Sequence, residues 1–148
     1  MTANPGMDER MSRFLHENTT LTLCVSRHEQ PHCANCFYAF WEEQALLIIK
    51  SDANTVHMRQ ALLNPRVAGT ILPDRLNLQA LRGIQYKGSL LPEEEISPGL
   101  ADTLSERYHH KFPFAREHAG TLWAFRLREI KMTDNTLGFG KKIHWPHP

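Results

Sequence analysis

Residues 50–59 combine hydroxyl, imidazole and cationic side chains at close spacing. Ser51 and Thr55 flank a short polar stretch, and His57 and Arg59 follow in what is predicted to be the first turn of a helix. Hydroxyl groups, the free N–H groups of a helix start and cations together suit a phosphate monoester. The pattern therefore indicates a phosphate site, while an ordinary capped helix with Arg59 in solvent is the alternative explanation of the same residues.

Cysteine and histidine residues also gather early in the chain, at Cys24, His28, His32, Cys33 and Cys36. A zinc site needs about four such ligands converging on one point. Cys33 and Cys36 fall inside a predicted strand, where an offset of three places them on opposite faces. A nucleophilic cysteine needs a histidine or a helix N-terminus beside it in space, and the sequence alone does not reveal such a neighbour. We therefore predict free, partly buried thiols and no metal site, and we interpret His109 and His110 as exposed surface histidines.

Hydrophobic periodicity places these residues on a series of strands and helices. Strands are predicted over residues 20–26, 32–41, 45–50, 66–72, 81–91, 121–130 and, as a short strand, within 137–145. Helices are predicted over 7–18, 55–63 and 98–111, the last with Ser97 as N-cap and Pro98 at its first position. The first three strands have such short connections that they predict an antiparallel meander. Gly83 and Gly88 indicate bulges or close backbone approach in the fifth strand.

The predicted order of elements indicates a mainly β (α+β) fold. Small antiparallel sheets remove their exposed edges by closing into barrels, and glycine bends in long strands serve the corners. We therefore predict a small antiparallel Greek-key β-barrel with peripheral helices, with an open α+β sandwich as the alternative. The length of 148 residues predicts one domain over 1–148.

Composition narrows the class of protein. Seventeen Lys and Arg against sixteen Asp and Glu give a net charge of +1, whereas nucleic-acid binding usually needs a clear basic excess. No apolar run approaches the roughly 18 residues of a membrane span, and the first residues lack the apolar centre of a secretory signal. Three free cysteines fit a reducing compartment. The sequence therefore predicts a cytoplasmic protein that binds neither nucleic acid nor membrane.

Several stretches of the sequence resemble a known family. The motif Ser51-x-x-x-Thr55-x-His57-x-Arg59, followed by Asn64-Pro65-Arg66-Val67-Ala68, resembles the FMN-binding split barrels of the pyridoxamine-phosphate oxidase-like superfamily. The runs 82–88 and 129–142 are similar to the YhbP-like branch of that superfamily. The superfamily motif is loose, whereas the C-terminal run is more specific to the branch.

The resemblance implies a homodimer of split barrels with two FMN molecules at the subunit interface. In relatives, the second strand contacts the flavin, and the loop after the third strand holds the phosphate together with the start of the following helix. The cofactor-binding residues implied for one subunit are Asn35, Cys36, Phe37, Lys50, Ser51, Thr55, Val56 and His57. Those implied for the other subunit are Gly83, Gln85, Lys141 and Lys142. Phe40 falls near a flavin-contacting position.

Three positions depart from the family pattern. Asn35 and Val56 stand where relatives commonly have Arg, and His57 stands where Lys is common, so permanent cations are missing. Each charge-assisted hydrogen bond lost would weaken phosphate binding by roughly 1.5–3 kcal/mol. This implies weak FMN binding or a changed ligand, unless other cations compensate. The candidates for such compensation are Lys50, Arg59, Lys141 and Lys142.

The resulting hypothesis is a flavin-dependent oxidoreductase of unknown substrate, in which the flavin carries the chemistry and the protein supplies position and electrostatics. Asn35 and Cys36 are expected to hydrogen-bond heteroatoms of the flavin ring. No acid–base pair in the motif identifies a catalytic residue. The alternatives are a non-catalytic protein that binds flavin or another small ligand, and a dimeric scaffold whose ligand site has decayed.

Overall fold

The computed structural model describes residues 6–147, which contain three helices and eight strands. The helices are α1 (Glu9–Glu17), α2 (Val56–Leu63) and α3 (Pro98–Lys111). The strands are β1 (Thr20–Arg27), β2 (Gln30–Phe37), β3 (Ala39–Trp41), β4 (Leu46–Ser51), β5 (Arg66–Ile71), β6 (Arg82–Leu90), β7 (Thr121–Asp134) and β8 (Lys142–Trp145). The predicted helices and strands are confirmed within a few residues, except that the predicted strand 32–41 is divided.

Side-chain caps explain where α2 and α3 begin. Thr55 accepts a hydrogen bond from the Met58 N–H (3.3 Å), and Ser97 accepts one from the Leu100 N–H (3.1 Å). Each bond satisfies a backbone donor that a helix start leaves free, and replacing such a cap by alanine costs about 1 kcal/mol. Pro98 follows Ser97 at a position where its missing N–H is not needed. The predicted Ser97 cap is confirmed.

The sheet curls into a barrel that stays open between two strands. All strand pairs are antiparallel in the order β2-β1-β5-β6-β7-β4-β3, with β8 paired to β7. The two ends of that order, β2 and β3, are separated along the chain by Tyr38 alone. A sheet whose end strands are joined by one residue must curl until its ends meet. In the described chain β2 lies against β4 without pairing with it, so the barrel wall is split there, and the predicted mainly β, split-barrel fold is confirmed.

The prediction of one strand over 32–41, and with it the three-strand meander, is wrong. β2 pairs with β1, whereas β3 pairs with β4 at the other end of the sheet. Tyr38 lies between them, fully buried, where its N–H donates to Thr19 O (2.9 Å) and its hydroxyl donates to Leu15 O (2.8 Å). These bonds fix the point at which the chain stops pairing with β1 and starts pairing with β4. The alternation of apolar and polar residues cannot reveal that point, because the residues on both sides of Tyr38 have strand-like composition.

Two apolar layers meet at β4. Leu47 and Ile49 belong to the core inside the barrel, whereas Leu46 and Ile48 belong to a second cluster beneath α3. Burial on both faces explains why this stretch is continuously apolar instead of alternating. The α3 residues of the second cluster are Leu104, Tyr108 and Phe112, the last just after the helix.

α1 packs against the barrel core. Met11, Phe14 and Leu15 are fully buried there. Truncating such side chains to alanine typically costs about 2–5 kcal/mol, so α1 is part of the folded unit. None of the helices between residues 6 and 147 is both long enough and apolar enough to span a membrane.

The two glycines singled out in β6 differ. β6 shifts register at Gly88, where a Cβ atom would lie 2.4 Å from Arg126 O, so the predicted bulge and close approach are confirmed. At Gly83 a Cβ atom would meet nothing nearer than 3.6 Å, and the register runs on unbroken. The prediction for Gly83 is therefore wrong.

Candidate functional site

The turn between β4 and α2 brings together three side chains, Ser51, Thr55 and His57, which we call the hydroxyl cluster. Ser51 Oγ lies 2.8 Å from His57 Nε2, and Thr55 Oγ1 lies 3.3 Å from the same nitrogen. The backbone N–H groups of the first turn of a helix have no acceptor within it. Two hydroxyls and an imidazole thus converge beside the first N–H groups of α2, of which the Met58 N–H is already bonded to Thr55 Oγ1.

Hydrogen bonds hold the shape of this turn. Thr55 Oγ1 donates to Asp52 O (2.9 Å), and the Asn54 N–H donates to Asp52 Oδ1 (2.7 Å). Trp123 on β7 donates from Nε1 to Ser51 O (2.9 Å). The turn is therefore fixed from within and from the neighbouring strand.

The tautomer of His57 decides where the protons of the hydroxyl cluster lie. Thr55 uses its hydroxyl proton on Asp52 O, so towards the imidazole it can only accept. With a proton on Nε2, the imidazole donates towards Ser51 Oγ and Thr55 Oγ1, and the Ser51 hydroxyl proton can turn to an oxygen atom of a ligand. With Nε2 unprotonated, Ser51 donates to it instead.

His57 carries no fixed positive charge. Burial, and after it the neighbouring His32, lower the pKa of His57 below its ordinary value of 6.5. The imidazole is therefore mostly neutral at pH 7, and the hydroxyl cluster offers hydrogen-bond donors without a permanent cation. A phosphate monoester carries a charge of about −1.5 to −2 at pH 7, so it needs cations from elsewhere.

Lys50 directs its ammonium group away from the hydroxyl cluster. Lys50 Nζ donates to Ala115 O (2.8 Å) and lies 2.9 Å from His109 Nε2. Successive strand residues face opposite sides, which puts Lys50 on the α3 side of β4 and Ser51 on the other. The interpretation of His109 as an exposed histidine is wrong, since it is 6% exposed and its pKa is lowered by burial and then by Lys50.

The residues singled out on the second strand alternate between its faces. Cys36 packs against the main core, where burial raises its pKa to about 11. Asn35 is exposed and accepts a hydrogen bond from Thr22 Oγ1 (2.9 Å). Phe37 is half-exposed, with its ring centroid 5.3 Å from that of Phe112. Asn35 and Phe37 therefore face outward from β2, whereas Cys36 faces the core.

Phe40 and Val56 differ in accessibility. Phe40 on β3 is buried, and its ring centroid lies 5.0 Å from that of His16. Val56 is the first residue of α2 and is exposed beside the hydroxyl cluster. Of the two, Val56 is the one that a ligand at the cluster could reach.

The other four residues lie at the far end of β7, and we call them the basic end: Gly83, Gln85, Lys141 and Lys142. Thr133 of β7 is opposite both Gly83 and Lys142, whereas Thr121 at the start of β7 is opposite Ser51. The twelve residue-to-residue steps from Thr121 to Thr133 span about 40 Å of extended strand. Within one chain the basic end and the hydroxyl cluster therefore lie at opposite ends of β7.

Sequence reasoning missed three residues that shape this region: His32, His109 and Trp123. Each acts on a residue distant in sequence; Trp123, for example, bonds to the backbone of Ser51 across 72 positions. Trp123 lies in the predicted strand 121–130, but no local pattern identifies the atom that its indole contacts. These contacts depend on strand pairing and on the docking of α3.

Curated relatives match the whole chain, although no family model matches it. UPF0306 proteins of Yersinia pseudotuberculosis serotype O:1b and of Yersinia pestis are 39% identical to it over 142 residues. The match covers 96% of this chain and 95% of each relative.

Solved structures share the fold at low sequence identity. A heme binding protein from Mycobacterium smegmatis superposes with a TM-score of 0.70 at 15% identity, over 86% of this chain and 52% of that one. This chain thus spans about half the length of that protein. A FAD-binding protein from Mesorhizobium loti gives a TM-score of 0.68 at 14% identity, over 89% and 97% of the two chains. A NimC/NimA family protein from Clostridium acetobutylicum gives 0.66 at 16% identity, over 92% and 89%.

Proposed function

The chain belongs to the UPF0306 family, and from that premise we propose that it binds FMN as a homodimer and acts as a flavin-dependent oxidoreductase. The FMN phosphate would lie between the hydroxyl cluster of one subunit and the basic end of its partner. The observation that carries the proposal is the convergence of Ser51, Thr55 and His57 at the start of α2. The flavin-binding neighbour from Mesorhizobium loti supports the choice of ligand.

The donors of the hydroxyl cluster fit a phosphate. The Ser51 hydroxyl, with Nε2 of His57 protonated, and the N–H groups at the start of α2 that the Thr55 cap leaves unbonded would donate, and a phosphate oxygen only needs to accept. The positive end of the α2 dipole favours an anion there. His57 would gain a proton beside a phosphate dianion, because a negative charge raises the pKa of a nearby imidazole.

The missing positive charge would come from a second copy of the chain. Lys141 and Lys142 lie too far along β7 to reach the hydroxyl cluster of their own subunit. The loops beside them, residues 72–81 and 135–141, expose large apolar side chains such as Phe139 (97% exposed) and Leu78 (83% exposed). Exposed apolar groups of this kind mark protein interfaces, and in a two-fold dimer these loops of each subunit would pack against the hydroxyl-cluster end of the other.

The protein's part in the reaction would be to position the cofactor and to exclude water. A bound flavin supplies hydride or electron transfer. Phe37 and Phe114 are both about half-exposed, with ring centroids 6.0 Å apart, and Phe114 adjoins Ala115, which bonds to Lys50 on β4. They form an apolar wall beside the split between β2 and β4. The hydroxyl cluster would fix the phosphate end of the ligand relative to that wall.

A non-catalytic flavin-binding protein is the second candidate, and the placement of Lys50 and Cys36 favours it. Lys50 bonds to the segment after α3, and Cys36 packs into the core, so both are occupied away from the cluster. The FMN-loaded protein is mixed with NADH or NADPH, and the absorbance of the flavin reports its reduction. Reduction with repeated turnover supports the oxidoreductase. Tight binding without turnover supports the second candidate.

Thr55→Asp tests the phosphate site. Aspartate caps a helix as well as threonine does, so α2 stays capped while the new charge repels a phosphate. We expect FMN affinity to fall about tenfold or more. Riboflavin, which lacks the phosphate, should bind with unchanged affinity, and quenching of flavin fluorescence on titration measures both ligands.

The matched control is Ser97→Asp, which makes the same change of charge at the N-cap of α3. It should leave the affinity for both flavins unchanged. The proposal fails if native protein binds FMN no better than riboflavin, or if Thr55→Asp leaves FMN affinity as it was.

A further inference from the structure

Two cysteines face each other across the hairpin formed by β1 and β2. The turn residues His28 and Glu29 both have positive φ (50° and 62°), as a two-residue type I′ turn requires. Such a turn fixes the register of its strands, and in this register Cys24 lies directly opposite Cys33. Their Sγ atoms are 3.2 Å apart.

The pair occupies a ladder position at which a disulfide fits. The residues next to a two-residue turn form a hydrogen-bonded pair, and pair types alternate from there, so Ser26–Pro31 and Cys24–Cys33 are both non-hydrogen-bonded pairs. Pro31, which has no N–H to donate, agrees with this assignment. Partners of this type have Cα atoms about 4.5 Å apart, within the roughly 4.4–6.8 Å that a disulfide spans. The sulfur atoms need to move together by only about 1 Å to reach bonding distance.

The three cysteines differ in access. Cys33 is exposed and Cys24 is partly buried, whereas Cys36 faces the core, which confirms the prediction that Cys33 and Cys36 lie on opposite faces. Burial, and after it Cys33, raise the pKa of Cys24 to about 11. Cys33 is therefore the thiol that meets a reagent first. In residues 6–147 no third His, Cys, Asp or Glu joins the pair to complete a metal site.

We propose that Cys24 and Cys33 form a reversible intrachain disulfide by exchange with a small-molecule disulfide of the oxidised-glutathione type. The Cys33 thiolate attacks one sulfur of the reagent, forms a mixed disulfide and releases the first glutathione thiolate. Cys24 then loses its proton to solvent, attacks Cys33 Sγ and expels the second glutathione thiolate. Two cysteine thiols are oxidised, one reagent disulfide is reduced to two thiols, and the two protons pass through solvent. This chemistry is independent of the proposed FMN site.

Peptide mapping tests the assignment. Native protein is incubated with oxidised glutathione at about pH 8, where thiolates are populated, and is then alkylated under denaturing conditions and digested. We expect a Cys24–Cys33 cross-linked peptide and an alkylated Cys36. Cys36→Ser is the matched control and should give the same cross-link. Cys24→Ser should stop at a glutathione adduct on Cys33, and Cys33→Ser should leave Cys24 unmodified.

Thermal unfolding supplies a second readout. Closing so short a loop should raise Tm by about 5 °C, and dithiothreitol should reverse the rise. A cross-link to Cys36, a disulfide between subunits on a non-reducing gel, or full alkylation of both Cys24 and Cys33 after oxidation would each overturn the assignment.

Discussion

The hydroxyl cluster and the basic end differ in the properties that decide how an anion is bound. The cluster is partly buried and internally hydrogen-bonded, and its imidazole is mostly neutral at pH 7. At the basic end, Lys141 and Lys142 are exposed cationic side chains that adjoin exposed apolar loops. One region has oriented donors without charge, and the other has charge without oriented donors. Phosphate binding needs both oriented hydrogen-bond donors and positive charge, so neither the hydroxyl cluster nor the basic end is a complete phosphate site by itself.

The largest expected effect comes from Phe139→Asp. If the apolar loops of each subunit pack on the other, a charge at this side chain removes an apolar contact twice, once in each subunit, and weakens the dimer by about 4 kcal/mol or more. Mass measurement by light scattering should show a shift towards monomer, and FMN binding should be lost because the site is left without its lysines.

Leu63→Asp is the control for Phe139→Asp, since Leu63 is also exposed but lies at the end of α2. It should leave the mass unchanged. A native protein that is monomeric at every concentration, or a dimer that persists in Phe139→Asp, would contradict the proposal that the basic end of one subunit and the hydroxyl cluster of its partner form one site.

Charge reversal at the basic end is expected to have the next largest effect. Lys141→Glu combined with Lys142→Glu removes two charge-assisted hydrogen bonds to the phosphate, each worth roughly 1.5–3 kcal/mol. FMN affinity should therefore fall about 100-fold or more, while riboflavin affinity stays constant. Arg27→Glu combined with Arg66→Glu makes the same charge change at two exposed positions away from the basic end and should have little effect. Equal losses in both double variants would point to net charge instead of a local contact.

The smallest expected effect concerns the protonation of His57. Its pKa is lowered in the free protein, and a phosphate dianion would raise it, so binding takes up a proton. FMN affinity should then rise as the pH falls from about 8, and stop rising once the pH is below the pKa of free His57. Because the phosphate itself takes up a proton near pH 6, we expect a gain of only about threefold between pH 8 and 6.5.

Variants at two histidines isolate that dependence. His57→Gln should flatten the pH profile of FMN affinity, whereas His16→Gln, a change at an exposed histidine, should keep it. A native profile that is already flat would mean that the phosphate does not lie beside His57.

Local chemistry made most of the elements predictable. The Ser97-Pro98 pair marks the start of α3 because a hydroxyl cap and an imino residue both suit a helix start. The opposite orientations of Cys33 and Cys36 follow from the period of two in any strand. For the candidate site, the proximity of Ser51, Thr55 and His57 could be predicted because all three lie within one turn and one helix start.

Predictions failed where a residue's partner lies far away in sequence. Tyr38 breaks the predicted strand through bonds to Thr19 and Leu15, and nothing in the residues around it announces those acceptors. His109 lies in a polar stretch, yet α3 docks on β4 and buries it against Lys50. Polarity of neighbours in sequence cannot reveal burial that is created by packing.

Side-chain chemistry and backbone preference over a few residues account for most of the strands, the helices with their caps, and the hydroxyl cluster. Three features depend instead on the folded chain: β2 and β3 lie at opposite ends of the strand order, Lys50 turns towards α3, and the basic end lies a full strand away from the cluster. The reason is that strand pairing and helix docking join residues many positions apart, through contacts that no local pattern encodes.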